Sequence, residues 1–468
     1  MKLTTRDLCT ATGGTLVKGS AETVFTAVTI DSRTVSPGAL FVPLPGTKTD
    51  GHAFLATAVQ QGAAGFFFAE HLNPTLPEGA AAIRVGDPLT ALQDLASWVR
   101  AKSNARIIGI AGSNGKTTTK ELMAQVFASK KNTGATQGNL NNHIGLPLTL
   151  LQADEDVEVM VLELGTSGAG ELAALCRIAQ PHIGVITSIA EEHTETLKDL
   201  AGVIAAETEL IAALPADGVA IVNGDHDGLL EAVHRQARCR VVTFGEHSTN
   251  HFRVTDIQVS RQGTGFTLTT PQATTTVQLR LLGSHFALAA TASLAVAAEC
   301  DIALDDACAA VSIAKGAARR MAVVEVPARQ LTVLDDCYNA NPASMLQALK
   351  TATQVRASGE RLLLVLGDML ELGTLSHIRH REIGEAVAML TPRPDFLVTV
   401  GEDAKLIAAE VEKTTVPVRW FATAEQAAAF VRETVEHFAG PQLLLVKGSR
   451  GLRLEEVTRR VTENHRQV

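Results

Sequence analysis

Two kinds of hydrophobic pattern alternate along this chain. Short apolar runs such as VEVMVLELG, HIGVITSIA and DGVAIVNGD each end at a glycine or a polar turn, and helical stretches lie between them. Strands that alternate with helices predict a mostly parallel sheet. The first 85 residues read as a smaller unit. There, ALFVPLPG is a strand closed by proline and glycine, and HAFLATAVQQGAAGFFFAE is an amphipathic helix, a glycine break and a short strand. VGDP (Val85 to Pro88) reads as a joint, followed by a helix through Trp98. Between residues 251 and 282 the pattern changes to period two: FRVTDIQVS, GTGFTLTT and TTTVQLRLLG predict antiparallel strands appended to the central sheet. After two alanine-rich helices, Met321 to Leu334 opens a third series with strands RLLLVLG, DFLVTVG, VRWF and QLLLVKG. The expected fold is α/β with three domains: a small α/β domain at 1–85, a central P-loop-type, mostly parallel sheet at 86–318, and a Rossmann-like doubly wound sheet at 319–468.

Composition supports this picture and narrows the partners. A length of 468 residues and an apolar content of 46% are enough to build a core in each domain. No apolar run reaches the roughly 18 residues that a membrane span needs. The opening MKLTTRDLCTATGG lacks the hydrophobic segment of a secretory signal, so a cytoplasmic protein is expected. Six cysteines are scattered without CxxC spacing, which predicts neither disulfides nor a zinc site. A net charge of −9 without a long basic run argues against a nucleic-acid partner. A small anionic ligand held by one local loop is compatible with that charge.

The stretch IIGIAGSNGKTTTK, Ile107 to Lys120, supplies such a loop. A buried-strand run enters a turn of Gly112, Ser113, Asn114 and Gly115, and Leu122, Met123, Val126 and Phe127 then follow at helical spacing. The glycines allow unusual dihedrals, the first helical amides point at an anion, Lys116 adds a charge, and the hydroxyl of Thr117, next to Thr118, can reach Mg2+. The spacing is not that of the common P-loop, whose first glycine would fall at Ile110.

Ligands of open parallel sheets bind beyond the carboxyl ends of the strands, so polar residues there carry weight. Glu163 ends VEVMVLELG and is a candidate Mg2+ ligand. His193 and Glu207 follow the next strand and are candidates for a second cation site, although either alone is more often a surface or capping residue. Asn139, Asn141 and Asn142 suit either a capped loop or a polar cradle. DDCYNANP follows a strand and fits an Asx-rich turn, and KGSRGLRLEE repeats the strand, loop and helix order with Lys447 and Arg450.

Taken in order, GIAGSNGKTTTK, TQGNLNNHIGLPLTLL, VLELG, DDCYNANPASM, VLGDMLELG and VKGSR resemble the Mur ligases over the whole chain. DSRTVSPGALFVPLPGTKTDGHAF is similar to the domain that holds the UDP end of the substrate in that family. The resemblance is to the branch that joins D-Ala-D-Ala to UDP-MurNAc-tripeptide. It implies an ATP-dependent amide ligation through an acyl phosphate, in a protein expected to be a monomer. It further implies that Lys116, Glu163, His193 and Glu207 serve catalysis, that Thr117, Glu163 and His193 bind Mg2+, and that Gly112 to Thr118 hold the nucleotide together with Arg320 and Asp336. Ser32 and Arg33 would belong to the UDP pocket, Asn139, Asn141 and Asn142 to the substrate cradle, and Asn339, Asn341 and Lys447 to the dipeptide cleft. The sequence departs from the family at four positions. Glu207 stands where a lysine that becomes carbamylated is usual and is expected to replace the carbamate, while Phe286 and Ala289 replace asparagines of the adenine pocket and Gly168 replaces a histidine. A related amino-acid ligase of the folylpolyglutamate type and a nucleotide-binding pseudo-enzyme are the rival readings. Neither diaminopimelate nor lysine is singled out as the third peptide residue.

Overall fold

The computed structural model describes residues 2–46, 49–72 and 74–463. Thr47 and Lys48 of the N-terminal stretch, and the tail 464–468 of the expected third domain, lie outside the described residues. Among the described residues the strands form four sheets, the smallest a two-stranded pair of Leu3–Thr4 with Val24–Phe25.

The largest sheet has nine strands in the order Thr133–Ala135, Val159–Glu163, Arg106–Ala111, Ile183–Ile186, Val219–Asn223, Arg240–Gly245, Phe252–Ser260, Gly263–Thr269 and Thr274–Leu279. Neighbours are parallel as far as Phe252–Ser260, and the two remaining pairs are antiparallel, as the period-two stretch predicts. The six-stranded sheet runs Ala322–Val326, Leu331–Asp336, Gln442–Lys447, Arg361–Gly367, Phe396–Val400 and Val418–Phe421. It is parallel except at its first pair. A five-stranded N-terminal sheet runs Thr15–Lys18, Ala81–Val85, Gly65–Ala69, Ala39–Phe41 and Ala27–Thr29.

Register fixes where the chemistry sits. Glu163 pairs with Ile110, two residues before Gly112, and Ile186 pairs with Ala111, so the loop, Glu163 and the chain after Ile186 emerge together at one sheet edge. In the six-stranded sheet Asp336 pairs with Lys447, which brings those two strand ends side by side.

Packing joins the two larger sheets. The helix Lys116–Ala128 buries Leu122, Met123, Val126 and Phe127 against the helix Ser284–Ala298, whose residues are apolar almost all round, as expected of a helix enclosed by its neighbours. The same apolar cluster continues into Met345, Ala348, Leu349 and Ala352 of the helix Pro342–Val355, which packs on Phe252–Ser260. Arg261 adds a polar tie, with Nε donating to Val355 O at 3.1 Å and its guanidinium pairing with Glu360.

His285, in the first turn of Ser284–Ala298, lies 4.2 Å from the Phe286 ring, centroid to centroid, and its buried Nδ1 has no hydrogen-bond partner. Burial draws its pKa from 6.5 down to about 4, with Asp336 opposing that shift and Lys447 adding to it. A histidine whose folded value lies below its unfolded value contributes fully above the unfolded pKa, and its contribution is lost as pH falls towards the folded one. The melting temperature should therefore drop more steeply from pH 6.5 to pH 4 in the wild type than in His285→Asn. Parallel pH profiles of the two proteins would contradict this.

Candidate active site

The loop after Arg106–Ala111 is shaped by two glycines in the left-handed region, Gly112 at φ 117° and Gly115 at φ 87°. A side chain at position 112 would bring its Cβ within 2.5 Å of Thr187 Oγ1 and 2.9 Å of Ser188 O. Gly115 opens the helix Lys116–Ala128 without a side-chain cap, so the first helical amides are not covered by a capping side chain. The loop is sewn to the chain that follows Ile183–Ile186: Ser113 Oγ donates to Ala190 O at 3.0 Å, Asn114 N to Ser188 Oγ at 3.0 Å, and Thr187 Oγ1 to Asn114 O at 2.7 Å.

Charge is concentrated around Lys116. Its ammonium donates to Gly112 O and lies 3.6 Å from Glu192 Oε1. Burial lowers the Lys116 pKa, but Glu192, Glu207 and Glu163 together outweigh burial and the repulsion from Arg320, so the net shift is upward and the side chain stays charged. Glu192, with a side chain only 11% exposed, is pushed up to about 7 by burial against the pull of Lys116. Glu163 accepts from Asn141 Nδ2 at 2.8 Å through Oε1, while its Oε2 is buried without a partner. His193, at φ 51°, holds Glu371 Oε2 at 2.6 Å through Nδ1.

The opposite wall comes from the six-stranded sheet and the chain leading into it. Arg320 Nη2 donates to Thr117 Oγ1 at 2.9 Å, and its guanidinium lies over the Tyr338 ring at 4.3 Å. Asn341 caps Pro342–Val355 through Ser344 N, and its Nδ2 donates to Asn114 Oδ1 at 2.9 Å. Lys447, 2% exposed, pairs with Asp336 Oδ2 at 2.8 Å and donates to Asn339 O at 3.0 Å.

Together these walls enclose a cavity of about 610 Å³. Of the residues expected from sequence, Ser113 to Thr118, Asn141, Asn142, Glu163 and His193 line it from the central side. Arg320, Asp336, Asn339, Asn341 and Lys447 line it from the other. Asn142 also caps the next helix, its Oδ1 accepting from Gly145 N at 2.9 Å.

Five expected residues fall outside the lining. Gly112 and Glu207 lie behind the loop, where Glu207 Oε2 accepts from Gly112 N at 2.6 Å; the carboxylate expected to face a metal instead anchors the backbone. Burial raises the Glu207 pKa, against Lys116 and the Gly112 amide. Asn139 is exposed away from the cavity. Ser32 is buried near the N-terminal sheet, and Arg33 grips Asp31 at 2.7 Å, holding that carboxyl at about 2. Of the departures from the family, Ala289 lines the cavity with Leu288, whereas Phe286 is 1% exposed in the apolar core and Gly168 lies beside Glu171.

Among the lining residues that escaped the sequence reading are Glu192, Tyr338 and His285. The strand-end rule that selected Glu163 would also have selected Glu192, which follows the strand Ile183–Ile186.

Known proteins match this chain from end to end. The catalytic domain of the Mur ligase family matches residues 24–100, the Mur ligase middle domain 110–297, and the Mur ligase glutamate ligase domain 319–450. The Bacillus subtilis protein named UDP-N-acetylmuramoyl-tripeptide–D-alanyl-D-alanine ligase is 36% identical over 99% of both chains, and the Escherichia coli protein of that name is 34% identical over 95% of both. A crystal structure of MurF from Acinetobacter baumannii agrees with a TM-score of 0.89 at 30% identity, covering 99% of each chain. MurF from Thermotoga maritima in complex with ADP shares the fold, with a TM-score of 0.82 at 24% identity over 93% of this chain and 97% of that one. With this similarity along its whole length, the chain belongs to the Mur ligase family.

Proposed function

We propose that this protein is an ATP-dependent ligase that joins D-Ala-D-Ala to UDP-MurNAc-tripeptide through an acyl phosphate, completing a peptidoglycan precursor. The observation that carries the reading is a single cavity into which an uncapped helix start, the Lys116 ammonium and the unpartnered Glu163 Oε2 all converge. The full-length relatives that bear this activity in their names support it. The residues before 86 would hold the UDP end, those from 86 to 318 would bind ATP, and the rest would close over the nucleotide. The reaction uses a nucleotide-linked substrate and belongs in the cytoplasm; no described helix is long and apolar enough to cross a membrane.

The chemistry follows from charge. A carboxylate that attacks the γ-phosphoryl of ATP must approach another anion, and preorganised donors lower that barrier most where charge develops. Lys116 and the amides of residues 115–117 would face the phosphates, and Arg320, stacked on Tyr338, reaches Thr117 from the other wall. Glu163 Oε2 suits a hard cation, and with Thr117 and His193 it would hold Mg2+, which when bound neutralises phosphate charge. Asp336, Asn339, Asn341 and Lys447 all line the cavity; Asp336 would contact the nucleotide, and Asn339, Asn341 and Lys447 would border the dipeptide's entry.

Phosphate release from ATP should require UDP-MurNAc-tripeptide and D-Ala-D-Ala together; steady release with ATP and Mg2+ alone would identify a bare NTPase instead. Lys116→Ala should slow ligation by at least ~10²-fold, as measured by product formation, because a preorganised donor is lost. Glu207→Ala leaves the buried Gly112 amide unpaired, at a cost of about 1–3 kcal/mol, and should raise the KM for ATP. Glu207→Gln keeps an acceptor there and should restore most of that affinity. A glutamine variant as impaired as the alanine one would show that the charge of Glu207, in place of a carbamate, is what matters.

A further inference from the structure

The chain that follows Ile183–Ile186 meets residues 371–379 of the C-terminal unit through three contacts. His193 Nδ1 stands 2.6 Å from Glu371 Oε2, Thr194 Oγ1 donates to Leu372 O at 3.0 Å, and Arg379 pairs with Glu191. The first contact differs from the other two. Both of its residues have left-handed backbones, His193 at φ 51° and Glu371 at φ 66°, a conformation that costs energy in any residue but glycine. The Glu371 side chain is 60% exposed, and an ion pair so open to water adds little to stability. Stability alone therefore does not account for a strained glutamate at this position.

What the pair does control is the imidazole. His193 lines both the large cavity and an adjoining smaller one of about 80 Å³, whereas Glu371 lines only the smaller one. The carboxylate thus bears on the reacting centre only through the ring. A ring nitrogen tolerates a carboxylate oxygen at 2.6 Å when it carries a proton, which assigns the proton to Nδ1 and the lone pair of the neutral ring to Nε2. The backbone beside Glu371 is itself held by side chains. Met369 N donates to His380 Nε2 at 3.0 Å, Leu370 N to Ser449 Oγ at 2.9 Å, and Ala404 N to Asp368 Oδ1 at 2.7 Å. A carboxylate carried on a backbone fixed in this way can set the orientation of a ring.

We propose that Glu371 is a positioning residue: from the C-terminal unit it fixes the tautomer and orientation of His193, so that the imidazole is prepared for a divalent cation only when the two units are together. This rests on the assignment of His193 as a Mg2+ ligand made above and adds the residue that prepares it. Histidines that bind metals generally rely on such a partner at their other ring nitrogen. Mn2+ binding to the ADP-loaded protein, followed by electron paramagnetic resonance, tests the proposal without turnover, in wild type, Glu371→Gly, Glu371→Gln and His193→Ala. Glycine removes the carboxylate and relieves the left-handed backbone, so Glu371→Gly should keep the wild-type melting temperature or exceed it. Its Mn2+ affinity should fall roughly tenfold or more. Glutamine still accepts from Nδ1–H, and Glu371→Gln should stay within about threefold of wild type, below the effect of losing such a partner. In the metal-free wild type the ring 15N resonances of His193 should place the proton on Nδ1, and Glu371→Gly should abolish that preference. The inference is overturned if Glu371→Gly binds Mn2+ as wild type does, if it keeps the proton on Nδ1, if it melts well below wild type, or if Glu371→Gln is as weak as the glycine variant. A His193→Ala variant with wild-type Mn2+ affinity would instead overturn the assignment of His193 as a metal ligand.

Discussion

The site depends on one balance of charge. A lysine beneath a phosphate loop has to remain cationic while largely shielded from water, and Lys116 does so because Glu192, Glu207 and Glu163 surround it. Opposite unit charges 4 Å apart attract by about 4 kcal/mol at an effective dielectric of 20, enough to offset the desolvation of a partly buried ammonium. Glu207 has a second role in this balance, because its carboxylate fixes the first amide of the loop.

Much of this was legible in the sequence, and the limits are physical. The loop could be read because glycine and Gly-Lys-Thr chemistry are local, and Glu163 because an apolar run delivers it to a strand end. The sheet boundaries followed from runs of buried residues, whereas Thr133–Ala135 has too few residues, and Arg240–Gly245 too polar a start, to stand out. The place of Glu207 was not legible. On a helix it could face the cavity or the loop's underside, and only the packing of Leu200–Glu207 decides between them. Tyr338 and Arg320 meet through a turn and a strand end, and half-buried His285 reaches the cavity beside residues such as Arg320 and Asp336 that lie far away in sequence.

Closure of the cavity is spread over several contacts between units. Arg320 reaches Thr117, Asn341 reaches Asn114, and Arg379 grips Glu191 through paired bonds of 2.7 and 2.8 Å just before Glu192 and His193. Each pairs a group near the phosphate loop with one from the C-terminal unit, so moving that unit also moves ligands of the reacting centre. Binding and alignment are thereby mechanically linked.

The apolar cluster shared by the helices Lys116–Ala128, Ser284–Ala298 and Pro342–Val355 also constrains how this polypeptide can be divided. A fragment ending before the six-stranded sheet would present to water the face of Phe252–Ser260 that Pro342–Val355 now covers, and such a surface drives self-association. Excising the portion that holds the nine-stranded sheet for separate production would therefore call for polar replacements on that face.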